Sequence, residues 1–180
     1  MNALIGFVRL VDSINERLGR FISWFTLGTV IVCFLVVILR YGFGIGLLWM
    51  QELYIWFHAM VFMLGAGYTF LHGGHVRVDI LYDRRSPRGK AWTDLICTIV
   101  FLLPWLAVVI YYSVPFFQSS WVIRETSPQG GGMPALYLLK GTILVFCVVV
   151  GLQGLALMAR SILLLKGHPE YQPPAEELPH

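Results

Sequence analysis

Charged residues are scarce in this chain. Of its 180 residues, 13% are Asp, Glu, Lys or Arg, against roughly 25% in an average soluble domain. Apolar residues make up 57% of the chain, and the mean hydropathy is +0.72. This balance argues against a soluble globular enzyme and predicts a protein that lies in a lipid bilayer.

Cysteine is scarce as well. The three cysteines, Cys33, Cys97 and Cys147, each fall inside an apolar stretch. Three cysteines cannot form a disulfide framework. No pair of them lies in a polar loop, which excludes quinone-linked thiol oxidation. We therefore interpret them as small hydrophobic side chains.

Four stretches lack Asp, Glu, Lys and Arg altogether, and each is 19 to 23 residues long: 21–39, 53–71, 95–117 and 141–159. As helices they would extend roughly 28 to 35 Å, enough to cross a hydrocarbon core of about 30 Å. They also lack the polar alternation of barrel strands. We predict an all-α integral membrane protein with four transmembrane helices over about 21–40, 52–72, 92–117 and 135–160.

The basic residues predict the orientation of these helices. Ten of the thirteen Lys and Arg residues precede the first apolar run, lie between the second and third, or follow the fourth. By the positive-inside rule, both termini and the loop 72–94 are then cytoplasmic. Within this loop, four basic residues are expected to fix the orientation and to contact anionic phospholipids: Arg84, Arg85, Arg88 and Lys90.

The segments outside the four spans have different characters. Segment 1–20 lacks the features of a removable signal peptide, and its apolar residues recur with a helical period, with Ile5 and Asn15 as exceptions. We predict an amphipathic helix on the cytoplasmic membrane surface; packing on another cytoplasmic protein is the alternative. Segment 161–180, which contains four prolines, is predicted to be a cytoplasmic tail.

His58 is the only ionisable side chain inside the four apolar runs. Together with Tyr54, Gly65, Thr69 and His72 it falls within about 60° on a helical wheel. A stripe of polar and small residues favours packing against protein rather than lipid. A proton-relay or transport role for His58 is the alternative.

The second run is followed by a set of possible metal ligands. His72, His75 and Asp79 have the spacing i, i+3 and i+7, which on one helical face could bind a metal. Gly73 and Gly74 argue against a continuous helix there. The other runs contain no histidine that could complete a haem site. We therefore expect no metal and no cofactor in this chain.

Two further patterns suggest helix contacts. Arg40 follows the first run and Glu52 precedes the second, so an Arg–carboxylate pair could close the hairpin between them; two solvated charges are the alternative. In the fourth run, Gly151 and Gly154 lie on one face and Gln153 on nearly the opposite one. Protein contacts on both sides would suggest a larger partner.

Four short motifs resemble those of a known membrane-protein family: Arg40-Tyr41, Trp49-x-x-Glu52, Gly74-His75-Val76-Arg77-Val78-Asp79 and Gly132-Met133-Pro134. Over about residues 20–160, including the spans, their orientation and the loop lengths, the chain resembles the small, DctQ-like membrane subunit of tripartite ATP-independent periplasmic (TRAP) transporters. The chain departs from the family pattern at Gln51, where a second acid is common, and at His72, near which an arginine is common.

The resemblance implies secondary active transport without ATP. In this family a periplasmic binding protein captures an organic anion, and a large membrane subunit moves it inward with sodium ions. This chain would then be a non-catalytic scaffold in the bacterial inner membrane that helps to dock the binding protein. The implied partners are the large subunit, the binding protein and phospholipids; no nucleic acid is expected. Any sodium would bind in the partner subunit.

The candidates for structural or partner contacts are spread along the chain. The loop 118–140 is the longest predicted periplasmic surface and is a candidate for contacting the binding protein or capping the large subunit; an inert connector is the alternative. The full set is Arg40, Trp49, Glu52, His58, Gly74, His75, Asp79, Trp121, Arg124, Glu125, Pro134 and Gln153.

Two other functions compete with the scaffold hypothesis. A self-sufficient, dimeric proton-coupled transporter would use Glu52 or His58 and would need an acid near the middle of a span, but every run is free of carboxylates. A membrane enzyme or redox subunit would need paired histidines, paired cysteines or clustered carboxylates. The scaffold hypothesis is therefore favoured.

Overall fold

The computed structural model describes residues 2–75, 82, 85–168 and 171, and over these residues it is all-helical. The helices are α1 (Asn2–Gly42), α2 (Leu48–Leu71), α3 (Pro87–Cys97), α4 (Leu103–Val122) and α5 (Leu136–Leu165). A π-helical turn, Thr98–Leu102, continues α3 directly into α4. Four helical units, α1, α2, α3 with α4, and α5, are long and apolar enough to cross a membrane. This confirms the predicted all-α architecture with four spanning helices.

The helices extend beyond the apolar runs. Helix α1 has 41 residues and is about 60 Å long, so residues 2–20 and the first span form one unbroken helix. Helix α5 continues to Leu165, so residues 161–165, the start of the predicted tail, are helical. Apolar runs report the thickness of the hydrocarbon, whereas a helix continues until a residue interrupts its hydrogen bonds.

Three helices end in the same hydrogen-bonded turn. At the end of α2, Gly73 has φ +64°, and the N–H of Gly74 donates back to the carbonyl of Thr69 (2.8 Å); α5 ends in the same way at Gly167, with φ +79°. This left-handed position favours glycine. At the end of α4 it is occupied by Arg124, with φ +49°, where a side chain adds strain.

Helix α5 is the centre of the bundle and contacts α1, α2, α3 and α4. On one side Leu106 of α4 packs into its surface. On another, Val8 and Val11 of α1 pack against Ala156 and Ala159. Part of the apolar face of residues 2–20 is therefore covered by the chain's own last helix. Contact of this segment with the cytoplasmic membrane surface or with another protein stays a prediction.

The buried stripe of α1 also differs from the predicted one. It includes Asn15 and Gly19 as well as Val11. Leu10 and Ile14, which share the apolar side of the helical wheel, are 60% and 44% exposed. A helical wheel sorts side chains by hydrophobicity alone. It cannot recognise a polar side chain that is buried because another helix bonds it.

Asn15 has such a partner on α5. Its Nδ2 donates to Oε1 of Gln153 (2.6 Å), and both side chains are 1% exposed. Nε2 of Gln153 donates to Oδ1 of Asp12 (3.4 Å), and the guanidinium of Arg160 donates to the same oxygen. We call these four residues the α1–α5 polar cluster. It corrects the prediction for Gln153, whose polar contact is made within this chain and so does not indicate a larger partner.

The variant Gln153→Leu should destabilise the chain by about 1 to 3 kcal/mol, because the amide of Asn15 would stay buried without its acceptor. The double variant Asn15→Leu/Gln153→Leu should recover part of this loss, since both members of the polar pair are removed together. Val148→Leu, at a position on α5 that is 57% exposed, is the matched control. Thermal unfolding in mild detergent measures the stability of all three variants. A double variant less stable than Gln153→Leu would contradict the hydrogen-bonded pair of Asn15 and Gln153.

Candidate functional site

The candidate residues divide between the two ends of the bundle and one face of α2. We call the end where α1 and α3 begin and α2 and α5 finish the basic end, because most lysines and arginines lie there. The other end, where α1 and α4 finish, is called the loop end. Side-chain contacts hold the helices together at both ends.

At the loop end, Glu52 organises the connection 123–135. The hydroxyl of Ser127 donates to Oε1 of Glu52 (2.5 Å), and the N–H of Met133 donates to Oε2 (2.6 Å). Gly132 lies so close that a Cβ added to it would be 2.8 Å from Oε1 of Glu52 and 2.4 Å from Oγ of Ser127. The carboxylate of Glu52, near the start of α2, therefore holds this connection at Ser127 and at Met133. Position 132, beside this carboxylate, has room only for a glycine.

The predicted pair between Arg40 and Glu52 is wrong. Both oxygens of Glu52 are engaged by the connection 123–135, and Arg40 is exposed and forms no ion pair among the residues that the structure describes. Spacing along the chain placed the two charges at one end of the bundle. It did not reveal the competing donors, 75 and 81 residues away. Trp49 and Pro134 are also exposed at this end.

An aromatic and charged contact holds the start of the same connection. The guanidinium of Arg124 stacks over the rings of Trp121 and Tyr137, at 4.3 and 5.4 Å from their centroids. Nζ of Lys140 donates to Oε2 of Glu125 (2.5 Å). Cation–π stacking of this kind contributes about 0.5 to 1 kcal/mol at an exposed site, which helps to offset the left-handed backbone of Arg124.

At the basic end, Glu16 ties α1 to α2. Its Oε2 lies 2.8 Å from Nε2 of His72, and its Oε1 accepts a hydrogen bond from Nε of Arg20 (2.8 Å). The ring of His72 also lies against Tyr68, with the centroids 4.4 Å apart. His72 thus has a structural partner in this chain.

The helical metal site considered for this region is not formed by its first two residues. Because Gly74 belongs to the turn that ends α2, His72 and His75 do not share a helical face. Both are exposed, and the described residues contain no group of three potential ligands. Asp79 and Arg84 lie outside the described residues.

The basic side chains before the third span are arranged around the start of α3. Nη1 of Arg85 donates to Oγ1 of Thr93 (2.5 Å), Nζ of Lys90 lies 5.3 Å from the ring centroid of Tyr82, and Arg88 is exposed. Their contact with phospholipids stays a prediction.

A cavity of about 830 Å³ lies beside these residues. Two of its polar side chains bond each other, since Oη of Tyr82 donates to Oδ2 of Asp94 (2.8 Å). The described lining therefore presents no unpaired carboxylate for an ion or substrate. The remaining walls are largely apolar and include Phe70, Cys97, Phe101, Trp105 and Leu157.

The central part of the polar and small stripe of α2 packs against no other helix among the described residues. His58 is exposed, and a Cβ added to Gly65 would meet nothing within 4 Å. Tyr54 and Thr69 are half-buried, and only His72 reaches α1. The central part of the stripe therefore faces away from the bundle.

Sequence reasoning missed several of the residues that hold the two ends together. Asn15 was visible only as an exception in an apolar pattern, and Asp12 and Arg160 as ordinary interfacial charges. Ser127 has no distinguishing signal in the sequence. Each is defined by a partner far away along the chain, which a local pattern cannot identify.

The chain matches a known protein family. The family model described as "Tripartite ATP-independent periplasmic transporters, DctQ component" matches residues 29–164. This range includes the greater part of the membrane-spanning helices and the connection that Glu52 holds. No curated protein and no solved structure matches the chain.

Replacing Glu52 with Ala should release the connection 123–135, because the N–H of Met133 and the hydroxyl of Ser127 lose their acceptor. The loss of about 1.4 kcal/mol of local stability would raise amide hydrogen exchange in this segment about tenfold. Arg40→Ala should leave the exchange unchanged. Equal effects of the two variants would support the Arg40–Glu52 pair and contradict the arrangement described above.

The pair of Glu125 and Lys140 should depend on pH. The hydrogen bond from Lys140 lowers the pKa of the Glu125 carboxyl below its ordinary value of 4.5. The pair therefore stabilises the folded chain at pH values above 4.5, and this contribution is lost as the pH falls through the lowered pKa. The melting temperatures of the wild type and of Glu125→Gln, measured between pH 7 and pH 3, should depend less on pH in the variant. Melting temperatures that fall in parallel in the two proteins would contradict this contribution of the pair.

Proposed function

Because the chain belongs to the DctQ-component family of the tripartite ATP-independent periplasmic transporters, we propose that it is the non-catalytic small membrane subunit of such a transporter. In this role it scaffolds the large sodium-coupled carrier subunit and helps to dock the periplasmic binding protein during uptake of an organic acid anion. The observation on which the proposal rests is the family match over residues 29–164 of a chain with four spanning helices. The chain is a multi-pass inner-membrane protein, and both termini are proposed to be cytoplasmic.

The arrangement of polar groups supports a helper subunit. Carriers bind substrates and ions where helices are broken near the middle of the membrane. Here the third span stays helical through its π-helical turn, and the other spans are continuous. The polar groups described above bond one another near the ends of the bundle, in the α1–α5 polar cluster and around Glu52. The sodium and substrate sites are therefore assigned to the partner subunit.

The connection 123–135 supports the docking role. Trp121 is 42% exposed and Arg124 is exposed, yet both are held by stacking, and Glu52 holds the far side of the connection. A surface that is ordered before binding loses less conformational entropy when a partner arrives. We propose that this surface contacts the binding protein or the large subunit, and that Arg85 and Arg88 contact phospholipids at the opposite end.

The alternative function, a dimeric proton-coupled transporter, has less support. Glu52, the acid that it would use, lies at the loop end and accepts two hydrogen bonds from the connection that follows α4. Such a carboxylate is structurally committed. His58 remains as a single histidine, and the apolar run 53–71 around it contains no carboxylate.

Transport by the reconstituted system tests the proposal. The substrate is first identified as the organic acid that raises the melting temperature of the binding protein. The large subunit reconstituted in liposomes should then take up this acid only when this chain is present. Uptake should also require sodium, with the binding protein on the outside. Full-rate uptake by the large subunit without this chain would overturn the proposal, as would uptake by this chain alone.

A further inference from the structure

One face of α2 combines an exposed imidazole with exposed apolar side chains. Ile55, His58, Phe62 and Gly65 recur at intervals of three and four residues and so share one side of the helix. Ile55 is 51% and Phe62 71% exposed. His58 is exposed too, and no hydrogen bond to it is found among the residues that the structure describes. We call these four residues the His58 face.

The depth of His58 makes its exposure unusual. It lies five residues inside the apolar run that begins at Leu53, which corresponds to about 7.5 Å along the helix. Hydrocarbon offers no hydrogen-bond partner, and ionisable side chains at this depth normally face protein or a water-filled cavity. The imidazole ring is short and cannot extend far toward the interface. A polar group of another protein would satisfy it.

Gly65 supplies an independent indication. A Cβ added to Gly65 would meet nothing within 4 Å. Every other glycine of the apolar runs lies against a side chain of another helix, so that an added Cβ would be within 3.5 Å of it: Gly28, Gly67, Gly141, Gly151 and Gly154. In membranes small residues allow two helices to approach closely. Gly65 has the space for such an approach, but no helix of this chain uses it.

We propose that the His58 face is the surface on which a transmembrane helix of the large subunit packs. The partner helix hydrogen-bonds His58 and approaches closely at Gly65, while Ile55 and Phe62 flank the contact. This inference rests on the proposed function, which supplies a membrane-embedded partner, and it deepens that function by naming the face. Helix α4 packs against α5. We assign its exposed side, which includes Val108, to contact with lipid.

Photocrosslinking in the complete transporter tests the assignment. Benzoylphenylalanine replaces Phe62 in one variant and Val108 in the other; both positions are exposed, at 71% and 55%, and lie near the middle of a span. The first variant should form a covalent adduct with the large subunit, at least tenfold more than the second. Equal adducts, no protein adduct at position 62, or an adduct with a second copy of this chain would overturn the inference.

A second experiment measures assembly directly. Gly65→Phe should reduce the amount of this chain that copurifies with the tagged large subunit at least tenfold, whereas Val108→Phe should not. The melting temperature of the full chain alone should be unchanged in both, because a Cβ added at position 65 meets nothing within 4 Å and Val108 is exposed. His58→Leu should weaken copurification, and His58→Gln, which keeps a hydrogen-bonding group, should restore it in part. Wild-type copurification by Gly65→Phe would overturn the inference.

The two proposals fail in different ways. If the wild-type chain does not copurify with the large subunit, the proposed function fails. If it copurifies and supports uptake, but position 62 gives no adduct with the large subunit, then only the assignment of the His58 face fails.

Discussion

The hydrocarbon of a membrane offers no hydrogen bonds, and the structure of this protein depends on that constraint. Each polar side chain at membrane depth must find its partner in protein. Gln153, inside the fourth apolar run, meets this requirement by accepting a hydrogen bond from Asn15 of the first helix. Their contact joins the first helix to the last one, α5, which lies at the centre of the bundle. His58, in contrast, has no such contact among the described residues, and its exposure indicates a surface that another protein completes.

The two ends of the bundle are organised by different means. At the basic end, helices are joined directly by the α1–α5 polar cluster and by the contact of Glu16 with His72. At the loop end, the carboxylate of Glu52 holds a connection instead of a helix. Arg124 keeps a strained backbone there while its side chain stacks on two rings. An ordered, exposed surface at this end suits a subunit that other proteins must recognise.

The four spans and their approximate positions could be predicted because membrane thickness sets the length of an uncharged run. The family could be recognised because short motifs near the ends of the spans, such as Trp49-x-x-Glu52 and Gly132-Met133-Pro134, are local in the sequence. The Arg40–Glu52 pair was predicted wrongly. Proximity along the chain identified two charges near one interface, but the better donors for Glu52 came from a distant segment. Helix lengths were also underestimated, since the helical hydrogen bonds extend beyond the hydrocarbon.

The sequence by itself determined that the chain lies in a lipid bilayer, how many helices span it and which family the chain belongs to. These properties depend on composition, on the length of the apolar runs and on local motifs. Only the tertiary structure decided which polar residues are partners. Asn15 and Gln153 are 138 residues apart, and no pattern within one helix can show that the two amides meet. The tertiary structure also separated Gly67, which lies against Asn15, from Gly65, which faces open space. Two glycines of one helix therefore differ in role because of what packs, or does not pack, against them.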